Sequence, residues 1–161
     1  MLRDSDYARI GRFITTIASA ESVIAKLWWH QSFSVGVEHT TKKVQRAPMA
    51  EKLSELRNLI ACDGSRLDQQ LDGLENGFSH VSDARHTLVH GFTSEAELHP
   101  SAINLRNDYQ VWMRDLPHLL PWADYLCRLA NQTYSDATRG IYTPEQDMPP
   151  LEPIIAAPRV L

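Results

Sequence analysis

Leu67, Leu71, Leu74, Phe78, Val81 and Leu88 recur at alternating steps of four and three, apart from one gap. That spacing puts them on one face of an α-helix. A helix with such a stripe folds by burying it against other helices, so a bundle is the expected architecture. The gap is the informative part. Continuing the series from Val81 gives Arg85, a fixed positive charge where the pattern calls for a core residue. A buried guanidinium is costly unless paired, so this position is either neutralised by a partner or put to use. At about 100° per residue, His90 lies roughly 140° round from Arg85, and His86 shares the face of His90 four residues away. Gly91 follows, the residue type that commonly closes a helix. One helix end thereby offers a cation and two imidazoles.

A second anomaly sits in the first helix. Asp4, Ser5 and Asp6 suit a helix start. From there the stripe Tyr7, Ile10, Ile14, Ile17, Glu21, Ile24 and Trp28 runs for about six turns to near His30. Glu21 is the carboxylate in that seam. It either snorkels at the stripe's edge or pairs with Arg85 across the helix interface, and two opposite charges that each break a core pattern account for one another. Pro48 fits the first turn of a second helix with the stripe Met49, Leu53, Leu56 and Ile60, which Asp63-Gly64 stops. Ser65-Arg66-Leu67-Asp68 reads as a capping box for the central helix. Gly73 and Gly77 inside that helix either admit a neighbouring helix closely or mark a kink, and His80 falls on a flank that reads as surface.

Beyond Gly91 the helical period disappears. Residues 102–105 and 109–112 flank Arg106-Asn107-Asp108 and read as a short β-hairpin lying on the bundle. A further helix opens near Asp115, with Pro117 or Pro121 at its start, and runs to about Thr138. Residues 141–161 carry Pro144, Pro149, Pro150, Pro153 and Pro158 together with apolar residues from Leu151 onward, which predicts an extended tail lying in a groove. The expected fold is therefore mainly all-α: an antiparallel bundle of about four helices over residues 1–140, with a hairpin insertion and a Pro-rich extended tail. At 161 residues the chain suits one domain without disulfides. Cys62 and Cys127 lack metal-site spacing. The N-terminus reads without a secretory signal, and no apolar run is long enough to cross a bilayer, so a cytoplasmic protein without membrane partners is expected.

Arg85, then His90 five residues later, then Gly91 at a helix end resembles the R-x-x-x-x-H signature of the HEPN family (higher eukaryotes and prokaryotes nucleotide-binding). Glu21 strengthens the resemblance, because the family has an acidic residue in its first helix facing the motif helix. The resemblance implies a metal-independent endoribonuclease that needs no cofactor and works as a homodimer with two motif helices facing one cleft. It implies RNA as the partner, with a toxin or defence setting and an antitoxin protein as a further partner. His90 would transfer protons, Arg85 would hold the phosphate and Glu21 would hold Arg85. His86 departs from the family's commonest form, which has a polar residue, often Asn, after the Arg; it would supplement proton transfer or cap the helix end.

The residue types fit that chemistry. RNA supplies its own nucleophile in the 2′-hydroxyl, leaving the protein to move protons and stabilise charge on phosphate. A net charge of −4 argues against a broad electrostatic grip on nucleic acid but leaves room for a small basic cleft. Lys42, Lys43 and Arg46, in an aperiodic stretch over residues 31–47, are either a solvated loop or a basic rim to such a cleft. Three other readings compete. His86 and His90 could chelate zinc, although no third ligand is evident. The chain could be a non-catalytic HEPN-like module that binds nucleotide, RNA or a protein. Glu21 and Arg85 could form a purely structural pair beside two surface histidines.

Overall fold

The computed structural model describes residues 2–60, 66–90, 102–105, 109–139 and 149, and these are mostly helical. Helix α1 spans Asp4–Ser34. Its start is fixed by Asp6, whose carboxylate accepts the backbone N–H of Arg3 at 3.0 Å. That bond and the Arg3 side chain hold the Asp6 carboxyl below its usual range. The helix runs a turn beyond the end expected at His30, because the stop lies at Gly36. Gly36 takes a φ of +83°, and the N–H groups of Gly36 and Val37 return to the carbonyls of Phe33 and Ser32. The buried face of α1 passes through Ile10, Phe13, Ile17, Ala20, Ile24 and Leu27. Of the expected stripe, Ile10, Ile17, Ile24 and Trp28 are buried, whereas Tyr7 is exposed and Ile14 only partly buried, so the buried face extends toward Phe13, Ala20 and Leu27.

The chain then doubles back along α1. His39 stacks on Trp28 with ring centroids 4.1 Å apart, and its Nε2 lies 3.0 Å from Ser32 Oγ. Helix α2, Thr41–Arg46, begins where Thr40 Oγ1 accepts the N–H of Lys43. This stretch was expected to be aperiodic. It is too short to show a helical period in the sequence, and its cap is the only local signal. Helix α3 spans Met49–Leu59 behind Pro48 and buries Leu53 and Leu56. Arg57 ties it to the next helix, donating to Asp68 at 2.5 Å, Asp72 at 2.6 Å and Glu75 at 3.2 Å.

Helix α4 spans Arg66–His90 and helix α5 spans Leu116–Arg139. Between them Ala102–Leu105 (β1) and Tyr109–Trp112 (β2) pair antiparallel, with Ala102 opposite Trp112 and Leu105 opposite Tyr109. Ile103 and Val111 are buried, and a 3₁₀ turn, Met113–Asp115, leads into α5. The α4 stripe is buried at Leu71, Leu74, Phe78, Val81 and Leu88. The helix stop at Asp63-Gly64, Ser65 of the capping box, Cys62, Gly91, the turn at 106–108 and the tail from 141, save Pro149, lie outside the described residues.

Gly73 and Gly77 are where α5 comes closest to α4. A methyl group at Gly77 would meet Leu126 Cδ2 at 2.5 Å, and one at Gly73 would meet the Tyr125 hydroxyl at 2.8 Å. Near the helix ends, Gln70 Nε2 donates to Asp136 Oδ2 at 2.8 Å. Gln70 with Asp136 and His80 with Trp122 show that α4 and α5 are antiparallel. The sense of α1 departs from the expected all-antiparallel bundle. Arg12 pairs with Asp124, Ser19 meets Cys127 and Lys26 lies over Tyr134. These three contacts rise together along both chains, so α1 and α5 run in the same direction. Sequence periodicity defines which face is buried but not the sense of the neighbour.

Two measurements check this packing. Gly11 lies on an exposed face of α1 with nothing within 4 Å of an added methyl group. Gly11→Ala is expected to stabilise by up to about 1 kcal/mol in urea unfolding, through helix propensity alone. Gly77→Ala gains the same propensity but forces the buried Leu126 to move, an overpacking cost of about 1–3 kcal/mol, and a net loss is expected. Stabilisation by both would contradict the close α4–α5 contact.

His80, read from sequence as surface, is half-buried against Trp122 with ring centroids 5.0 Å apart. Burial pushes its pKa below the ordinary 6.5. The folded state thus prefers the neutral ring. As pH falls through the unfolded value toward the depressed folded one, the unfolded chain takes up the proton first and stability is lost. His80→Gln is expected to flatten the fall in the urea midpoint between about pH 7 and 5. Identical slopes for the two proteins would remove His80 from the acid sensitivity.

Candidate functional site

Glu21 leaves α1 midway along its length, on the edge of the buried face, between Ile17 and Ile24. Arg85 leaves α4 one turn before its last residue. The two meet: Arg85 Nη2 lies 3.1 Å from Glu21 Oε2. Neither is sealed from water. The side chains keep 34% and 28% of their exposure, so the pair sits at the rim of the core, between the two limits that the sequence left open. The α4 stripe explains the position. Val81 and Leu88 on either side of Arg85 are fully packed, and they pin the helix so that the guanidinium must emerge beside α1.

The pair forms a ridge between two clefts. The first, about 770 Å³, lies between α1, α2 and α3. Its charged walls are Lys26, Lys52 and Arg85 against the single carboxylate of Glu21, and Trp29 stands in its wall beside Val44, Pro48 and Met49. The second, about 570 Å³, lies between α1, α3 and α4 and is lined by Glu21, Arg85, His86, Asp83, Ser82 and Glu75 among others. Its charge balance is the reverse, although Glu75 is engaged by Arg57. Both volumes fall in the range of small-ligand sites, about 300–1,000 Å³.

The structure brings three of the four expected site residues to this ridge. Glu21 and Arg85 form it, and His86 is an exposed side chain in the wall of the second cleft. His90 is the last residue of α4, one turn beyond His86, and its side chain lies outside the described portion. Lys42, Lys43 and Arg46 do not themselves line either cleft. Thr41, Val44 and Gln45 form the α2 wall, while Lys43 points its ammonium at the Trp28 ring, 5.7 Å from the centroid. Among the described residues no group of three or more His, Cys, Asp or Glu side chains is assembled to hold a metal. No described helix is long and apolar enough to cross a membrane.

Lys52 was missed. It is 5% exposed, lines the first cleft, and makes no hydrogen bond or ion pair among the described residues. Burial pulls its pKa below the usual ammonium value, against the opposing pull of Glu21 and then Glu51. The signal was present. Lys52 follows Met49 by three and precedes Leu56 by four, so it flanks Leu53 on the inner edge of the α3 stripe, although it leaves no gap there as Arg85 does on α4. A lysine draws less notice because its long stem can cover apolar surface while the head reaches water.

Comparison with protein-family models, with curated proteins and with solved structures gave no match. The functional reading therefore rests on the residues and their geometry.

Because Glu21 faces both Arg85 and the field of Lys52, Glu21→Ala should cost more than an exposed ion pair. A loss of about 1–2 kcal/mol in chemical denaturation is expected, above the exposed-pair range and below that of a fully buried pair. A double-mutant cycle with Arg85→Ala should return a coupling near 1 kcal/mol. Zero coupling would reduce the contact to an incidental one.

Proposed function

We propose that this chain is a metal-independent endoribonuclease of HEPN type, with Arg85, His90, His86 and Glu21 as its site. The observation that carries the reading is the Arg85–Glu21 ridge. A guanidinium is held by a carboxylate on one side and open to two clefts, one turn before His90. Arg85 can accept Glu21 on one edge and phosphate oxygens on another, since the planar fork presents five donors.

The reaction follows from the substrate. A base, His90, takes the proton of the 2′-hydroxyl. The 2′-oxygen attacks the adjacent phosphorus while Arg85 stabilises charge on its non-bridging oxygens. The bond to the 5′-oxygen breaks, and a protonated imidazole, His86 or one from a second copy, returns a proton to the leaving oxygen. The products are a 2′,3′-cyclic phosphate and a 5′-hydroxyl. DNA lacks the nucleophile and is not cut. Function as a cytoplasmic homodimer, restrained by an antitoxin protein in a defence setting, belongs to this proposal.

One observation favours a second reading, a non-catalytic module that binds RNA or nucleotide in the more cationic first cleft, or a protein. The carboxylates of Asp83 and Glu21 share the second cleft with His86 and tilt it against a polyanion. The experiment that decides is incubation of labelled RNA with the purified protein in EDTA, with end-group analysis. Cleavage leaving cyclic phosphate is expected. His90→Ala should slow it by roughly 10²–10⁴-fold as general acid–base catalysis is lost. Arg85→Lys should also fail, because Lys keeps the charge without the fork. Retained RNA with no cleavage by the wild type selects the binding module, and chelator-sensitive cleavage restored by zinc selects a zinc site.

A further inference from the structure

We infer that the first cleft seats one nucleotide of single-stranded RNA, with its phosphate on Lys52 and its base on Trp29. This rests on the ribonuclease reading and extends it to a subsite that the motif residues do not form.

Lys52 is the central observation. Its side chain is almost wholly buried, yet no hydrogen-bonding or ion-pairing partner satisfies its ammonium among the described residues. The fields of Glu21 and Glu51 reach it, but neither carboxylate hydrogen-bonds it, and Glu21 makes its hydrogen bond to Arg85 instead. Burial strips most of the water from the Lys52 stem while its ammonium opens into the cleft, and such a partly desolvated cation gains when an anion enters and coordinates it. Arg85 lines the same cleft and adds a second cation to the same corner. The cleft is thus built for negative charge at its inner end.

Its outer wall is of a different kind. Trp29 keeps 42% of its exposure and is braced by Phe33, stacked at 5.7 Å between ring centroids and an interplanar angle of 17°. A large ring stacked on one side and left open beside a cationic pocket is the pairing that single-strand binders use, with charge tracking the backbone and an aromatic face taking a base. Apart from Lys26, the remaining lining is apolar or neutral, as at Ala18, Ala25, Val44 and Pro48, which suits a base or sugar. Because Arg85 lies in the walls of both clefts, a strand laid across the ridge would present one phosphate to Lys52 and the next toward Arg85 and His86.

The test uses the full chain and a fluorescent single-stranded oligonucleotide of 2′-O-methyl RNA, which binds but supplies no nucleophile. Affinity is read by anisotropy across a salt series. Lys52→Met keeps the stem and removes the charge; it is expected to weaken binding at least tenfold and to lower the salt dependence by about one phosphate contact. Trp29→Ala, at an exposed position where folding is not at stake, is expected to weaken binding at least about fivefold with little change in salt slope. Lys52→Arg should restore most of the affinity. Should Lys52→Met not fold, Trp29→Ala and Lys52→Arg still decide. Binding undiminished in Trp29→Ala overturns the inference, as does heparin binding that matches the oligonucleotide and ignores Trp29. The two proposals fail separately. Binding that depends on Lys52 and Trp29 without cleavage of ordinary RNA removes the ribonuclease and keeps the subsite. Cleavage with unaltered binding in these variants does the reverse.

Discussion

Glu21 on α1, Lys52 on α3 and Arg85 on α4 each place a charge on or beside a face otherwise given to the core, and the three meet at one corner of the bundle. Each alone would cost several kcal/mol if left desolvated and unpaired. Together they comprise two cations and one anion, and the geometry assigns the anion to Arg85. Lys52 then has the fields of Glu21 and Glu51 but a hydrogen bond to neither. The cluster stays at the rim of the core, where partial hydration limits the penalty, and the excess positive charge faces open space. Around it the apolar faces of α1, α3 and α4 close as in any bundle; at this corner they part to form two clefts.

The corner stays where it is because of a contact far from it. The glycines at 73 and 77 let Tyr125, Leu126 and Leu129 press against the α4 backbone, and Gln70 with Asp136 fastens the far end. With α4 so held against α5, and α5 packed along α1, the azimuth of α4 is fixed and Arg85 is delivered beside Glu21. The same-sense run of α1 and α5 contributes, and Arg12–Asp124 and Lys26–Tyr134 mark its register at separated points. A rotation of α4 by one residue, about 100°, would turn Arg85 out of reach of its partner.

Much of this was legible because periodicity and its violations are written in one dimension. The α4 stripe, the α3 stripe and the Glu21–Arg85 encounter all follow from where apolar residues recur and where they fail to. What was not legible depends on facts of another kind. The end of α1 was misplaced because the cue was Gly36, several residues beyond the last clear apolar repeat. On α1 the stripe holds at Ile10, Ile17, Ile24 and Trp28 but not at Tyr7 and Ile14, because Phe13, Ala20 and Leu27 also fit a helical period and only the neighbours decide between overlapping stripes. Helix α2 is too short for a period. Helix sense, the two clefts and the role of Trp29 are tertiary properties, carried by no residue alone. Lys52 belongs to a middle case: its place on the stripe was visible, but a lysine there is ordinarily read as a stem covering apolar surface.

Under the proposed reading, the division of labour between the two cations follows from their chemistry. Arg85 must serve Glu21 and a phosphate together, and a planar guanidinium with several donors can do so without releasing either. Lysine could not hold two partners in fixed directions, since its ammonium is a compact point charge on a flexible stem. Lys52 has the complementary task, attracting a phosphate that need not be oriented for reaction. Its burial confines the ammonium to one end of the cleft, which supplies the positional restraint that the stem lacks. Position and charge therefore come from different sources at the two residues. At Arg85 the restraint is the carboxylate of Glu21; at Lys52 it is the packing of α3 through Leu53 and Leu56. That distinction explains why Glu21, one carboxylate among two cations, lies nearer the guanidinium: the group whose direction matters for chemistry is the one that needs a hydrogen bond to hold it.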